Sequence, residues 1–122
     1  FEVVENAPPD FELLVKKFNH NTPSPKFNGN WEERLRQYDE GLTIIRADQC
    51  PYTVRNVKEI SETAENIYGI KPNIISLRNC GEAQNSPCAF GTFCIIYRGK
   101  VIAYHPISKA SFANIMKKEV IP

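Results

Sequence analysis

The stretch that most constrains the fold of this chain runs from Gly41 to Gly69, GLTIIRADQCPYTVRNVKEISETAENIYG. Leu42, Thr43, Ile44 and Ile45 form a short apolar and β-branched run that reads as a buried strand, and beyond Thr53 apolar residues recur at helical spacing. The joint between the two is Cys50-Pro51-Tyr52-Thr53. Proline suits the first position of a helix, where its missing N–H costs nothing, and it biases the preceding residue towards extended geometry. Cys50 is therefore expected at the N-cap. A thiol there faces unpaired N–H groups and the positive end of the helix dipole, both of which favour the thiolate. The position suits a small, inert, buried cysteine equally well. The residues alone leave both readings open.

The elements on either side follow from local signals. Phe1–Val4 and Phe11–Phe18 read as two extended segments around Asn6-Ala7-Pro8-Pro9-Asp10, a hairpin that must lean on another body because an isolated one is marginal in water. Residues 19–29, NHNTPSPKFNG, read as a linker. Asn30 as N-cap, Glu33 three residues later and Gly41 as closing residue predict a helix from Trp31 to about Glu40, with Trp31, Leu35 and Tyr38 on one stripe. After the strand Leu42–Ala47 and the Cys50 turn, a helix ending at Gly69 places Val54, Val57, Ile60, Ala64 and Ile67 on its inner face.

Asn73–Leu77 is a short strand. Residues 78–91, RNCGEAQNSPCAFG, have neither period beyond a helical turn near Glu82–Asn85, and long irregular loops in compact domains are usually functional or mobile. Thr92–Tyr97 and Lys100–Tyr104 form a hairpin about Arg98-Gly99, and Ser108 caps a last helix, Lys109 to about Glu119. The expected domains are thus residues 1–18, a terminal hairpin; 19–29, a linker; and 30–122, an α/β domain. Strand, helix, strand, then hairpin and helix imply a parallel crossover closed by the hairpin on one sheet.

Composition narrows the function classes. With 15 Lys+Arg against 14 Asp+Glu, the chain has no general attraction to nucleic acid or anionic membrane. No apolar run approaches the roughly 20 residues that span a bilayer. The chain opens on Phe1 rather than Met, so further residues are expected upstream. Four unevenly spaced cysteines, Cys50, Cys80, Cys88 and Cys94, beside an ordinary core, point to thiols in the cytoplasm rather than to a disulfide framework.

Two stretches resemble the thioredoxin and glutaredoxin fold: strand-Cys50-Pro51-Tyr52-Thr53-helix, and Phe90–Lys118 with its turn glycine Gly99. The resemblance implies a thioredoxin-like central sheet flanked by helices. Thr53 replaces the family's second cysteine, so only a monothiol role carries over to Cys50. The family's cis-proline would fall near Gly91-Thr92, where there is none, and Pro87 lies four residues before Gly91. As a whole, with its proline-interrupted start, QCPYT turn and SPCAFGTF segment, the chain resembles the YoaP-like domain at the C-terminus of certain GNAT-family acetyltransferases. That likeness implies that residues 1–18 are the last hairpin of a GNAT fold. The parent would be an N-acetyltransferase whose upstream GNAT domain binds acetyl-CoA, and no cofactor is expected in this piece, which lacks a Gly-rich pyrophosphate loop.

The candidate catalytic residue is Cys50, with Pro51, Tyr52, Thr53, Cys80 and Cys88 as candidate binding residues for a small-molecule or thiol substrate. Tyr52 could cover a bound thiol or peptide, or simply pack on Pro51. Thr53 could donate to a sulfur anion. Cys80 and Cys88, in the long loop at the carboxyl edge of its strand, could resolve an oxidised Cys50 or merely brace the loop. Metal spacing is absent, since a Cys50, Cys80, Cys88, His105 set lacks the close cysteine pair of zinc sites. Cys94 is assigned to the core. Three functions remain in view: part of a GNAT-type N-acetyltransferase with a substrate-positioning accessory domain, a monothiol redox or thiol-binding domain, and a non-catalytic interaction module.

Overall fold

A computed structural model describes residues 1–8, 10–48, 51–89 and 91–120. In chain order the elements are β1 (Glu2–Ala7), β2 (Phe11–Val15), α1 (Trp31–Arg36), β3 (Leu42–Ala47), α2 (Pro51–Tyr68), β4 (Asn73–Leu77), α3 (Cys80–Gln84), β5 (Phe93–Tyr97), β6 (Lys100–Ala103) and α4 (Lys109–Val120). Strands β1 and β2 make a separate two-stranded sheet, and the other four form a mixed sheet in the order β4-β3-β5-β6. β3 and β4 run parallel from Thr43 opposite Asn73 to Ala47 opposite Leu77, joined through α2, while β5 lies antiparallel to β3 and to β6.

Alternation along the central strands sends their side chains to two different layers. On one face Leu42 and Ile44 of β3 and Phe93, Ile95 and Tyr97 of β5 meet Val57, Ile60 and Ala64 of α2 and Phe112 and Met116 of α4. On the other, Ile45, Cys94 and Ile96 pack with Cys88, and Phe11, Leu35, Tyr38, Ile75, Leu77 and Tyr104 close over them. Two helices tile the first face; short pieces of chain cover the second.

Helix ends follow their caps. The Asn30 side-chain oxygen accepts from the N–H groups of Glu32 and Glu33, starting α1 as expected. The helix stops at Arg36, short of the expected Glu40, because the chain beyond it bonds across the sheet: the Gly99 N–H donates to the Tyr38 carbonyl at 2.9 Å and the Arg98 N–H to the Gly41 carbonyl at 2.9 Å. Arg98 and Gly99 both have positive φ, +49° and +77°, the geometry of a two-residue hairpin turn. Gly69, at φ +64°, ends α2, with its N–H and that of Ile70 turned back onto the Glu65 and Ala64 carbonyls. Ser108 caps α4 through the Ser111 N–H.

The inner stripe of α2 differs from expectation at both ends. Val54 and Ile67 are exposed, and Asn56 is buried instead. Beyond Ala64 the helix leans on α4 through Tyr68, whose hydroxyl donates to the Ala113 carbonyl at 2.9 Å, and this turns Ile67 outward. The stretch expected to be an irregular loop contains α3, whose start is fixed by the Asn79 side chain accepting from the Glu82 N–H at 2.9 Å.

The N-terminal hairpin leans on residues that follow it in the chain. Phe11 meets Tyr104 edge-on, ring centroids 5.0 Å apart, and the Phe27 N–H donates to the Glu5 carboxylate at 2.8 Å. Its inner face carries buried Ala7, paired with Phe11. Val3 and Leu14, also paired, lie on the outer face and are exposed.

Candidate functional site

The carboxyl ends of β3 and β4 coincide, since Ala47 pairs with Leu77. Both α2 and α3 begin beyond that edge, the place where open α/β sheets usually bind ligands. Pro51 opens α2, as its fixed φ and missing N–H predict. Tyr52 is 66% exposed. Thr53 is half-buried on the next position. The expected catalytic residue, Cys50, lies outside the described residues, and its N-cap role with it.

One turn into α2, Asn56 is 5% exposed. Its amide donates to the Ile107 carbonyl at 2.6 Å and so pins the segment between β6 and α4 to the helix start. Among the described residues its Oδ1 has no partner. Tyr52, Arg55, Asn56 and Glu59 border a hollow of about 230 Å³. On the strand leading to the turn, Arg46 and Asp48 form an ion pair at 3.0 Å.

The two candidate loop cysteines part company. Cys80 is exposed, the first residue of α3 at the same sheet edge as Tyr52 and Thr53. Cys88 is buried on the sheet face opposite α2, packed with Ile45, Cys94 and Ile96. It shares a thiol–thiol hydrogen bond with Cys94. That bond first, then burial and the nearness of Cys88, push the Cys94 thiol far up, so it holds its proton. Cys94 is core, as its strand position predicts. Segment 86–88 is held from the far side by Arg34, which donates to the Ser86 carbonyl at 3.0 Å and to the Asn28 carbonyl while stacking over Trp31. Among the described residues no three His, Cys, Asp or Glu side chains cluster as a metal site.

A larger cavity, about 520 Å³, opens beside Cys80 on the face away from α2. Ile45, Ile75 and Leu77 make its apolar part, and Gln37, Tyr38, Glu82 and Asn85 contribute polar groups. Burial, and then the nearby Cys94, push the Tyr38 phenol up, so it too stays protonated. The residue pattern announces little of this cavity. Only the Asn79 to Glu82 cap spacing signals that the loop is ordered there.

Sheet and helices thus make a mixed α/β unit with an open carboxyl edge. Residues 73–114, from the start of β4 into α4, match the family described as YoaP-like. The chain is also 27% identical, over 116 residues and 95% of its length, to a Bacillus subtilis (strain 168) protein described as "Uncharacterized N-acetyltransferase YoaP". The match covers 45% of that protein, so the chain spans about half the length of the curated relative it matches. No solved structure matches the chain significantly. Among the described residues no helix is long and apolar enough to cross a membrane.

Proposed function

We propose that this chain is part of a GNAT-type, acetyl-CoA-dependent N-acetyltransferase, in which the four-stranded unit recognises or positions the acceptor and the first hairpin belongs to the catalytic domain. The observation that carries the reading is the extent of the similarity to the B. subtilis protein, which runs through hairpin, linker and sheet together. The hairpin adds support. It pairs with no strand of the four-stranded sheet and presents Val3 and Leu14 outward, as a hairpin does when a further apolar body packs on it. The strand order β4-β3-β5-β6, with one parallel pair bridged by a helix, supports a thioredoxin-like reading of the accessory unit.

The test is acetyl transfer by the longer enzyme from radiolabelled acetyl-CoA to a panel of amines. Label is expected in an N-acetyl product. Removing residues 30–122 is expected to raise KM for the amine and leave KM for acetyl-CoA in place. Loss of label from acetyl-CoA only by hydrolysis, with every amine unlabelled, overturns the enzyme reading. Equal changes in both KM values overturn the accessory role.

A further inference from the structure

We propose that the cavity bordered by Tyr38, Leu77 and Glu82 binds a small organic amine, its ammonium group at the Glu82 carboxylate and its aliphatic or aromatic body on Ile45, Ile75 and Leu77. Binding stands on the cavity itself; its meaning as the acceptor site rests on the acetyltransferase reading.

The size fits. About 520 Å³ lies within the roughly 300–1,000 Å³ usual for small-molecule sites. The apolar part is fixed by the fold, because Ile45 of β3 and Ile75 and Leu77 of β4 project to the same face at neighbouring register positions. That face is left open here because α1 ends at Arg36 and α3 spans only five residues.

The polar groups choose the ligand. Among the described residues lining the cavity, Glu82 is the one that carries charge. Its Oε2 accepts from the Arg78 N–H at 2.8 Å and its own N–H donates to Asn79, so the carboxylate is anchored while it keeps most of its accepting capacity. The Asn85 amide gives one N–H to the Gly81 carbonyl at 3.0 Å, which leaves its oxygen and a second N–H to offer. No described residue bonds the Tyr38 hydroxyl or the Gln37 side chain. The rest of the lining is neutral, with Gln37, Tyr38, Asn79, Asn85 and Ser86 each able to donate or accept, so the charge of Glu82 decides the sign of the ligand. An ammonium group, cationic and with three donors, is the complement of that carboxylate. A carboxylate or phosphate would meet Glu82 with no cationic side chain in the lining to offset the repulsion.

The experiment titrates the chain, labelled for NMR, with 2-phenylethylamine, 2-phenylethanol and 3-phenylpropanoate. Saturating shifts are expected at the amides of Tyr38, Leu77, Glu82 and Asn85 with the amine, with the alcohol at least about tenfold weaker and the propanoate not binding. Glu82→Gln preserves the cap, since a glutamine oxygen still accepts from the Arg78 N–H, and is expected to weaken the amine at least about tenfold while leaving the alcohol alone. Gln37→Glu, at an exposed position, puts a second carboxylate in the lining and is expected to tighten the amine several-fold. Shifts confined to the α2–α4 face, equal binding of alcohol and amine, or an unchanged amine affinity in both variants each overturn the proposal. In the longer enzyme the two readings separate. Amine binding here without acetyl transfer to any amine sinks the acetyltransferase reading alone. Acetyl transfer whose amine KM is indifferent to both variants sinks the acceptor assignment of the cavity.

Discussion

Raising the pH should destabilise this protein by way of Cys94. Its thiol is fully buried opposite Ile45, hydrogen-bonded to Cys88, and held protonated far above the ordinary thiol range. In the unfolded chain the same thiol ionises near ~8.5. The native state therefore binds more protons than the unfolded state above that pH, and stability falls as pH rises. The contribution is complete below the unfolded pKa and drains away above it. Counting the Cys94 proton alone, each pH unit removes about 1.4 kcal/mol, or roughly 2.7 kcal/mol by about pH 10.5. That is a large share of the roughly 5–15 kcal/mol that holds an ordinary domain together. The assay is urea unfolding under reducing conditions from about pH 7.5 to about pH 10.5, comparing the natural chain with Cys94→Ala. At the low end the variant should be weaker by on the order of 1 kcal/mol, the loss of one buried group of methylene size. That deficit should shrink and then reverse as pH climbs. Parallel curves for the two proteins above about pH 8.5 would refute the argument, because they would mean that the folded thiol ionises as readily as the unfolded one.

Other substitutions probe how the site is built. Asn56→Ala strands the Ile107 carbonyl that its amide now meets at 2.6 Å, and should cost roughly 1–3 kcal/mol in chemical denaturation. Gly99→Ala places a Cβ 3.0 Å from Asp39 Oδ1 at φ +77°, and should cost about 1–2 kcal/mol, read as a lowered Tm. Phe11→Ala should destabilise the chain by more than about 1.5 kcal/mol, while Leu14→Thr should stay within about 0.5 kcal/mol; equal effects would mean that the hairpin does not dock through its inner face.

Much of the fold was legible because its signals are local. β3 and β4 fall where the runs LTIIRA and NIISL place them, Pro51 and Gly69 bound α2, and Ser108 starts α4. The misreadings come from contacts between distant residues. Nothing within residues 31–41 says that the Tyr38 and Gly41 carbonyls will be claimed by the Arg98-Gly99 turn, so a helix stopping at Arg36 looks like one running to Glu40. The Ile67 position satisfies the helical period yet turns outward once Tyr68 is anchored on α4. The cavity was illegible for the same reason. Gln37 and Tyr38 come to lie beside Leu77, Glu82 and Asn85 only through the pairing of β3 with β4.

The two faces of the sheet are covered in physically different ways, and the difference bears on where function can sit. α2 and α4 lay Val57, Ile60, Ala64, Phe112 and Met116 as a continuous layer over one face, closely packed on the sheet, and the hollow of about 460 Å³ on this side lies between the two helices, bordered by Glu59, Thr63, Ile67 and Ala113. The other face is roofed by Phe11 from the hairpin, Leu35 and Tyr38 at the end of a short helix, and buried Pro87 and Cys88 from a loop. Short segments cannot tile a twisted sheet as helices do, so gaps remain between them, and one of about 520 Å³ is floored by Ile45, Ile75 and Leu77. Each piece of the roof is also held by few bonds, among them Arg34 to Ser86 and Glu5 to Phe27. Regions built from such isolated contacts open at lower free energy than a two-helix layer. The cavity whose floor is the sheet itself therefore falls on this face, while α2 and α4 pack on the other and support β3 and β4 from beneath.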